Sequence, residues 1–492
     1  MGDMLALSRL RRREFLWGAP AVMGLGLSAP ALAAPALLRR GAYQVTLVSV
    51  RPLRFAVAAD LPIAGDRLGM SDTYPAELPE MAGKGWPALV RDLAVSDGAG
   101  PPISISRDGS AGWTLARPVT GRVRLRYGID FAVFEQAGWS SPLESAVTDA
   151  EHALACCRAL FITTPDMDGA DVRFRTPAGW RAVAPWPALN AARQSFRAAS
   201  TDDLTENMAA FTSRFGQAIS AAGFTMRVTA MGHWAPLLPL VRDTLRTIVD
   251  LEAGMMGTRR REAYSVILVP TIDTGGEAYR QSFAYAFANP AVANRAVWAN
   301  TLAHELFHFW NASRLQGRDY AASQWFQEGF TEYVANLTLL VGKIVRSEDF
   351  LAKLSTHVAN SDRLTTTLEN IGTHKGPPLY SAGALVAFSF DVMIRRATGG
   401  QSSIGTFFRN LWRQTNEGAR KYAWPDIEAA LRATAPGDWA GFYARHVRGS
   451  EKLPLDAALG VAGLRLQGSS IRIDAAAAPA ARLVWESLNA RL

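Results

Sequence analysis

His304 and His308, in the run HELFH, stand four residues apart. Side chains at that spacing lie one above the other on the same face of a helix, so this pair can offer two imidazole nitrogens to one metal ion. Glu305 then points toward the open side of that ion, where a carboxylate can take a proton from a bound water. This is the donor set of a zinc hydrolase, short of one ligand. Glu328 is the candidate for it: nineteen residues separate it from His308, and it sits in a second segment of helical apolar period, QWFQEGFTEYVANLTLLVG. Glu332, one turn further on, is placed either to accept the second ring N–H of a ligand histidine or to face solvent. With only seven histidines in the chain, chance assembly of the whole pattern is rare. The spacings therefore point to one Zn²⁺ held by His304, His308 and Glu328, with Glu305 as general base.

These side chains need helices and a sheet to position them. The motif helix reads from Asn294, with Val297, Leu302, Leu306 and Phe309 as its apolar face. Upstream, FTMRVTAMG reads as a strand, PLVRDTLRTIVDLEAGMMG as an amphipathic helix and YSVILVP as a buried strand. Between these and the motif lie Gly275, Gly276 and Glu277. The glycine pair allows a bulge or a close backbone approach, and 281–287 reads as an edge strand beside the motif helix, along which a peptide substrate can add as a further strand. Downstream, 347–362, YSAGALVAFSFDVMIRRATGG, SSIGTFFRNLWRQTN and WPDIEAALRAT read as helices with cap and stop signals. GLRLQGSSIRIDA reads as a hairpin, and the Ala-rich tail after it carries no clear pattern.

The fold class is multidomain α+β. Residues 42–187 form a β-rich domain of alternating runs broken by Gly, Pro and Asp, interrupted by one helix-like stretch, SAVTDAEHALACCRALFIT. A second domain opens at residue 188, where the period lengthens and Ser200 to Asp203 offer N-cap chemistry, and it extends to 343. Residues 344–466 are mainly helical, and 467–492 hold the end of the hairpin and the tail.

Residues 1–36 read as an export leader, with a charged start, an apolar run from Leu16 and small-residue cleavage sites such as Ala31-Leu32-Ala33. Arg12 and Arg13, followed by Glu14-Phe15-Leu16, resemble the twin-arginine signal of bacteria, which implies a periplasmic or secreted protein. Pro20, Pro30 and several glycines interrupt the apolar run, so it reads as a cleaved leader, and no later segment reads as a membrane span. The formal charge of +8 falls to about +6 without the leader, and its Lys and Arg are scattered singly, which argues against nucleic-acid binding. Cys156 and Cys157 are adjacent and cannot staple an exported fold; they read as small buried residues.

Beyond the metal motif, the chain resembles the glycyl aminopeptidase family of gluzincin zinc metallopeptidases. HELFHFWN fits that family's HExxHxWN, WFQEGFTEY fits WxxEGFTxY, and YSAGALVAFSFDVMIRRATGG is similar to its tyrosine-led helix ending in TGG. FYARHVRGSEKLPLDAALGVAGL is similar to its closing segment, so the resemblance runs from Asp203 to Leu466. It implies a thermolysin-like catalytic domain, the ligands and base named above, and Tyr380 as a hydrogen-bond donor to the oxyanion. It also implies peptide substrates cut after small N-terminal residues. Endopeptidase or dipeptidase action, and a zinc-stabilised peptide-binding protein without turnover, are the alternatives. Three departures stand out. Ala382 replaces the family's lysine, and too few residues follow Leu466 for the family's PDZ domain, which is expected to be absent. Gly275-Gly276-Glu277 places the acid one position early relative to the family's Gly-Gly-Leu-Glu-His, and a one-residue shift in a strand reverses the face. Glu277 then either binds a substrate amine with the help of a bulge or plays a structural or solvent-facing part.

Overall fold

The computed structural model describes residues 39–492 except 76–77, 80, 99, 140, 193, 215–217, 258–260, 271–274, 289–294 and 374–375. The leader and Asn294, the expected start of the motif helix, lie outside the described residues. Apolar and polar alternation gives the N-terminal region a sheet with one buried face. In Gly41–Val50, Tyr43, Val45 and Leu47 point inward. Leu53–Gly69 and Ala170–Arg175 flank this strand in a seven-stranded sheet. A four-stranded sheet, made of Ala146–Thr148, His152–Cys156, Met208–Thr212 and Arg181–Val183, packs against it. Phe55, Phe174, Trp186 and Phe211 meet between the two.

Two expectations change here. SAVTDAEHALACCRALFIT is not a helix; it forms Ala146–Thr148, His152–Cys156 and a single helical turn, Cys157–Leu160. His152–Cys156 is buried at every position, with Ala153 and Ala155 against the first sheet and Leu154 and Cys156 against Ile267, Ala284 and Ala286 of the next domain. A strand covered on both faces has no polar side, so the alternation that marks a strand is missing. The boundary at 188 moves as well. Ser195–Ala198 and Met208–Thr212 pair with the N-terminal sheets, and the next sheet begins at Ile219. Both cysteines are free and buried, as their adjacency implies.

The sheet under the motif has five strands, ordered Ile219–Ala221, Phe224–Ala230, Glu262–Val269, Ser282–Ala286 and Gly275–Ala278. Ser282–Ala286, expected at the edge, lies one strand in, parallel to Glu262–Val269; the edge is Gly275–Ala278. Two glycines give that strand no side-chain pattern to read. Helices Leu238–Met256, Arg295–Phe307, Tyr320–Val341, Ser347–Ser361 and Pro377–Ala397 build the rest of the core around the site. Contrary to expectation, Pro377–Ala397 is long and apolar enough to cross a membrane by composition, and among the described residues it alone is. Its most apolar window is 83% buried within the protein, so that composition answers to packing on several sides. The Ala-rich tail folds as helix Pro479–Ala490 after the expected hairpin, Leu464–Gln467 with Ser470–Ile473.

Tyr320–Val341 and Pro377–Ala397 cross at Gly329 and Gly383. A Cβ on either would overlap the backbone of the other helix, so the contact requires two residues without side chains, and Gly329 directly follows Glu328. Gly383→Ala is expected to force the helices apart at a cost of about 1–3 kcal/mol. Chemical denaturation of the metal-free protein would register this as a lowered midpoint with an unchanged slope.

Candidate active site

Arg295–Phe307 and Tyr320–Val341 pack side by side and bring the four motif residues together. One donor atom from each of His304, His308 and Glu328 lies within 4.8 Å of the others. The histidine Nε2 atoms are 3.0 Å apart, and Glu328 Oε2 is 3.4 Å from each. The opposite ring nitrogens are already committed as donors. His304 Nδ1 donates to Glu332 Oε2 at 3.1 Å, and His308 Nδ1 donates to the Asn311 carbonyl at 2.9 Å. With both protons held at Nδ1, both Nε2 atoms present lone pairs to the same point, and the buried Glu328 Oε2 faces that point without a hydrogen-bond partner. Two lone pairs and an anionic oxygen converging in a buried space fit a divalent cation; two imidazoles and a carboxylate are a zinc donor set.

Asn311 fixes this geometry from the turn after the motif helix. Its side-chain amide donates to the carbonyls of Phe326 and Gln327, at 3.2 and 3.1 Å, and to Thr331 Oγ1 at 3.1 Å. One residue thus orients the His308 ring and ties the turn to the helix that carries Glu328.

The charges respond to burial and to each other. Burial pulls the His304 imidazole down, but the Glu328 and Glu332 carboxylates beside it prevail and push it up to about 10, so a proton competes with a cation for its Nε2. For Glu328, burial acts upward and the two histidines outweigh it, holding the carboxyl well below its usual range. Glu305 moves the other way, raised chiefly by burial. That shift brings a carboxylate closer to the proton affinity a general base needs near neutral pH.

Tyr380 stands in the first turn of Pro377–Ala397, buried, with its ring 6.0 Å from that of His304. Gly276 lies on the other side of the site, where a Cβ would overlap the Glu305 carboxylate. The edge strand keeps an unbroken register, with Gly276 opposite Tyr285 and Glu277 opposite Ala284. The bulge that amine binding by Glu277 would require is therefore not there, and the buried position fits the structural alternative. Gly276 faces the motif helix, and Glu277 is buried on the reverse face, the one that Ala284 shares with the N-terminal region. The structure thus gathers His304, Glu305, His308, Glu328, Glu332, Gly276 and Tyr380 around one point and turns Glu277 to the far side of its strand. Asn311, Asn336, Lys353 and His357 also belong to the cluster. Of these, only Asn311 lay inside a recognisable motif, and none of their contacts has a spacing that could be read in advance.

Two histidines one helical turn apart, a glutamate from the following helix and a buried carboxylate next to the first histidine define a gluzincin-type metallopeptidase. The family model for M61 glycyl aminopeptidase matches residues 297–371, and that for the peptidase M61 N-terminal domain matches residues 43–207. The two matches together cover 240 of the 492 residues; the chain resembles the M61 glycyl aminopeptidases and is a zinc metallopeptidase. Among solved structures, it is similar to an aminopeptidase N family protein from Idiomarina loihiensis, with a TM-score of 0.72 and 17% identity over 87% of this chain and 79% of that one. It is also similar to a mutant M1 zinc metallopeptidase from Deinococcus radiodurans bound to a Tyr-Ser-Ala substrate, with a TM-score of 0.53 and 15% identity over 85% of this chain and 95% of that one. At such identities the likeness is one of fold. No curated protein sequence matches the chain.

The contact between Gly276 and Glu305 can be tested directly. In Gly276→Ala, the new methyl displaces the carboxylate, and a shift of about 1 Å in a reacting group can cost about 10²-fold in rate. Peptide hydrolysis is expected to fall by that order, with metal content by atomic absorption unchanged.

Proposed function

We propose that this metallopeptidase is an exported aminopeptidase that removes small N-terminal residues from peptides, using one zinc ion held by His304, His308 and Glu328. The observation that carries the chemistry is the convergence of the two Nε2 atoms and Glu328 Oε2, with Glu305 pressed against Gly276 beside them. Zinc bound there supplies a Lewis acid for the scissile carbonyl and lowers the pKa of a water. Glu305 accepts the proton released as that water attacks, and can return it to the leaving amine. Tyr380, a neutral phenol at pH 7, donates its O–H to the oxygen on which negative charge develops. Among the described residues Gly275–Ala278 is the last strand of its sheet, so an extended peptide can be held along it through backbone hydrogen bonds. With no side chain at Gly276, the peptide backbone can come close to Glu305.

The resemblance to the M61 glycyl aminopeptidases supports the aminopeptidase reading, with Glu277 as the nearby acid for a free amine. Its placement on the reverse face of the strand favours a second reading, endopeptidase or dipeptidase action, which needs no amine-binding acid at that position. The arginine pair and apolar run of residues 12–36 support export with a cleaved leader.

Matched peptides with free and acetylated N-termini separate the two readings. The aminopeptidase should cut only the free peptide, with products read by mass; equal cutting of both would establish endopeptidase action. Glu305→Gln should retain zinc and lose about 10²–10⁴-fold in kcat, the contribution of a general base. Tyr380→Phe should lose about 10²–10³-fold in kcat with little change in KM, as expected of an oxyanion donor.

A further inference from the structure

Glu332 serves more than the ring of His304. Its Oε2 accepts the His304 Nδ1–H, and its Oε1 receives Lys353 Nζ at 2.9 Å and Asn336 Nδ2 at 3.3 Å. Lys353 comes from Ser347–Ser361, a helix that supplies no candidate ligand, and its side chain reaches inward with 28% exposure. One turn later on the same helix, His357 Nε2 lies 3.3 Å from Asn336 Nδ2, and its Nδ1 donates to Ser381 Oγ at 3.1 Å, next to Tyr380. Burial, and then the Lys353 ammonium, pull His357 down to about 4, so at neutral pH it is a neutral bridge and adds no charge.

Charge counting shows what Lys353 does. Glu305, Glu328 and Glu332 are each 3% exposed, three carboxylates in one dry region. Glu252 nearby is fully buried too, and burial raises its carboxyl well above the usual range. A single divalent ion balances two of the three anions. The ammonium of Lys353 balances the third, and it does so at the carboxylate that orients a ligand histidine. A buried carboxylate left without a counter-charge is unfavourable and turns toward whatever donor it can reach. Turning away would deprive His304 of the acceptor that orients its ring.

We propose that Lys353 is a positioning residue of the metal centre, the cation that pairs with Glu332 Oε1 and keeps Oε2 directed at His304, so that the ion is retained tightly. The proposal rests on the zinc site described above. It extends that site to a helix that supplies none of the candidate ligands.

The test is a zinc-binding competition against a chromophoric chelator, starting from metal-free full-length protein. Partners that orient a ligand histidine are worth about 10–100-fold in metal affinity, so Lys353→Met should bind zinc weaker by that order. Lys353→Arg, which restores a cation at the same oxygen, should return to within about threefold of wild type on the same scale. Glu332→Gln should show a loss similar to that of Lys353→Met, and the double variant no further loss, since a residue acting through another is not additive with it. Wild-type affinity in Lys353→Met, or full additivity in the double variant, would overturn the proposal. Should Lys353→Met fail to fold, Lys353→Gln and the arginine variant carry the same comparison, and an arginine variant as weak as the neutral one overturns it equally. A wild-type protein that takes up no zinc would instead defeat the metal reading itself, and the proposal with it.

Discussion

Five ionisable side chains packed out of reach of water set the terms for the rest of this molecule. His304, Glu305, His308, Glu328 and Glu332 are between 3% and 5% exposed. Each would be expensive to bury alone, and they are tolerable together because each faces a partner of complementary charge or hydrogen-bonding sense. Glu332 takes the His304 proton and the Lys353 ammonium, Asn311 takes the His308 proton, and Glu328 faces both free ring nitrogens. What these pairings leave over is a pair of lone pairs and a carboxylate oxygen aimed at one point. The metal site is the part of a buried polar network that protein groups alone do not satisfy.

Such a network holds its geometry only if the helices beneath it cannot slide. Two devices prevent that. The glycine crossing at Gly329 and Gly383 brings the ligand helix and the tyrosine helix into backbone contact, which fixes their spacing next to Glu328. Further along, Tyr333 Oη donates to Asp391 Oδ2 at 2.7 Å, and Arg395 Nε donates to Asp391 Oδ1 at 2.9 Å. The remaining donors of Arg395 reach the carbonyls of Ser487 and Arg491 in the C-terminal helix, at 2.7 and 2.9 Å. This second buried charged group is fully partnered and offers nothing to a ligand. It clamps the tail of the chain onto the two helices that carry Glu328 and Tyr380.

The ligand set was legible because helix geometry turns spacing into direction. His304 and His308 must share a face wherever they fall on a helix, and Glu328 sits in a segment long and apolar enough to pack against them. The helices of the C-terminal half were legible for the same reason, since each has a cap, a period and a stop. What escaped was whatever depends on partners remote in sequence. His152–Cys156 looked helical because both its faces are covered, and Gly275–Ala278 had no pattern because glycine carries none. Lys353 showed no sign of its role, because a lysine on an amphipathic helix looks the same whether it meets water or Glu332. The tail helix was likewise silent until Arg395 gave it a reason to dock.

The edge strand shows how a local rule limits function. A strand can show only every second side chain to one face, so whichever residue approaches Glu305 excludes its neighbours from doing so. Here the approach is made by Gly276, since a side chain at that position would occupy the space of the general base. Glu277, next along an unbroken register, is then committed to the reverse face, among residues shared with the N-terminal region. Closeness of substrate backbone to the base and an acid on the catalytic side at the adjacent position are therefore mutually exclusive in this strand. Glu277 therefore faces the seam between the two regions and not the general base. The N-terminal sheets cover that reverse face, and the same burial on both sides made their strands hard to read.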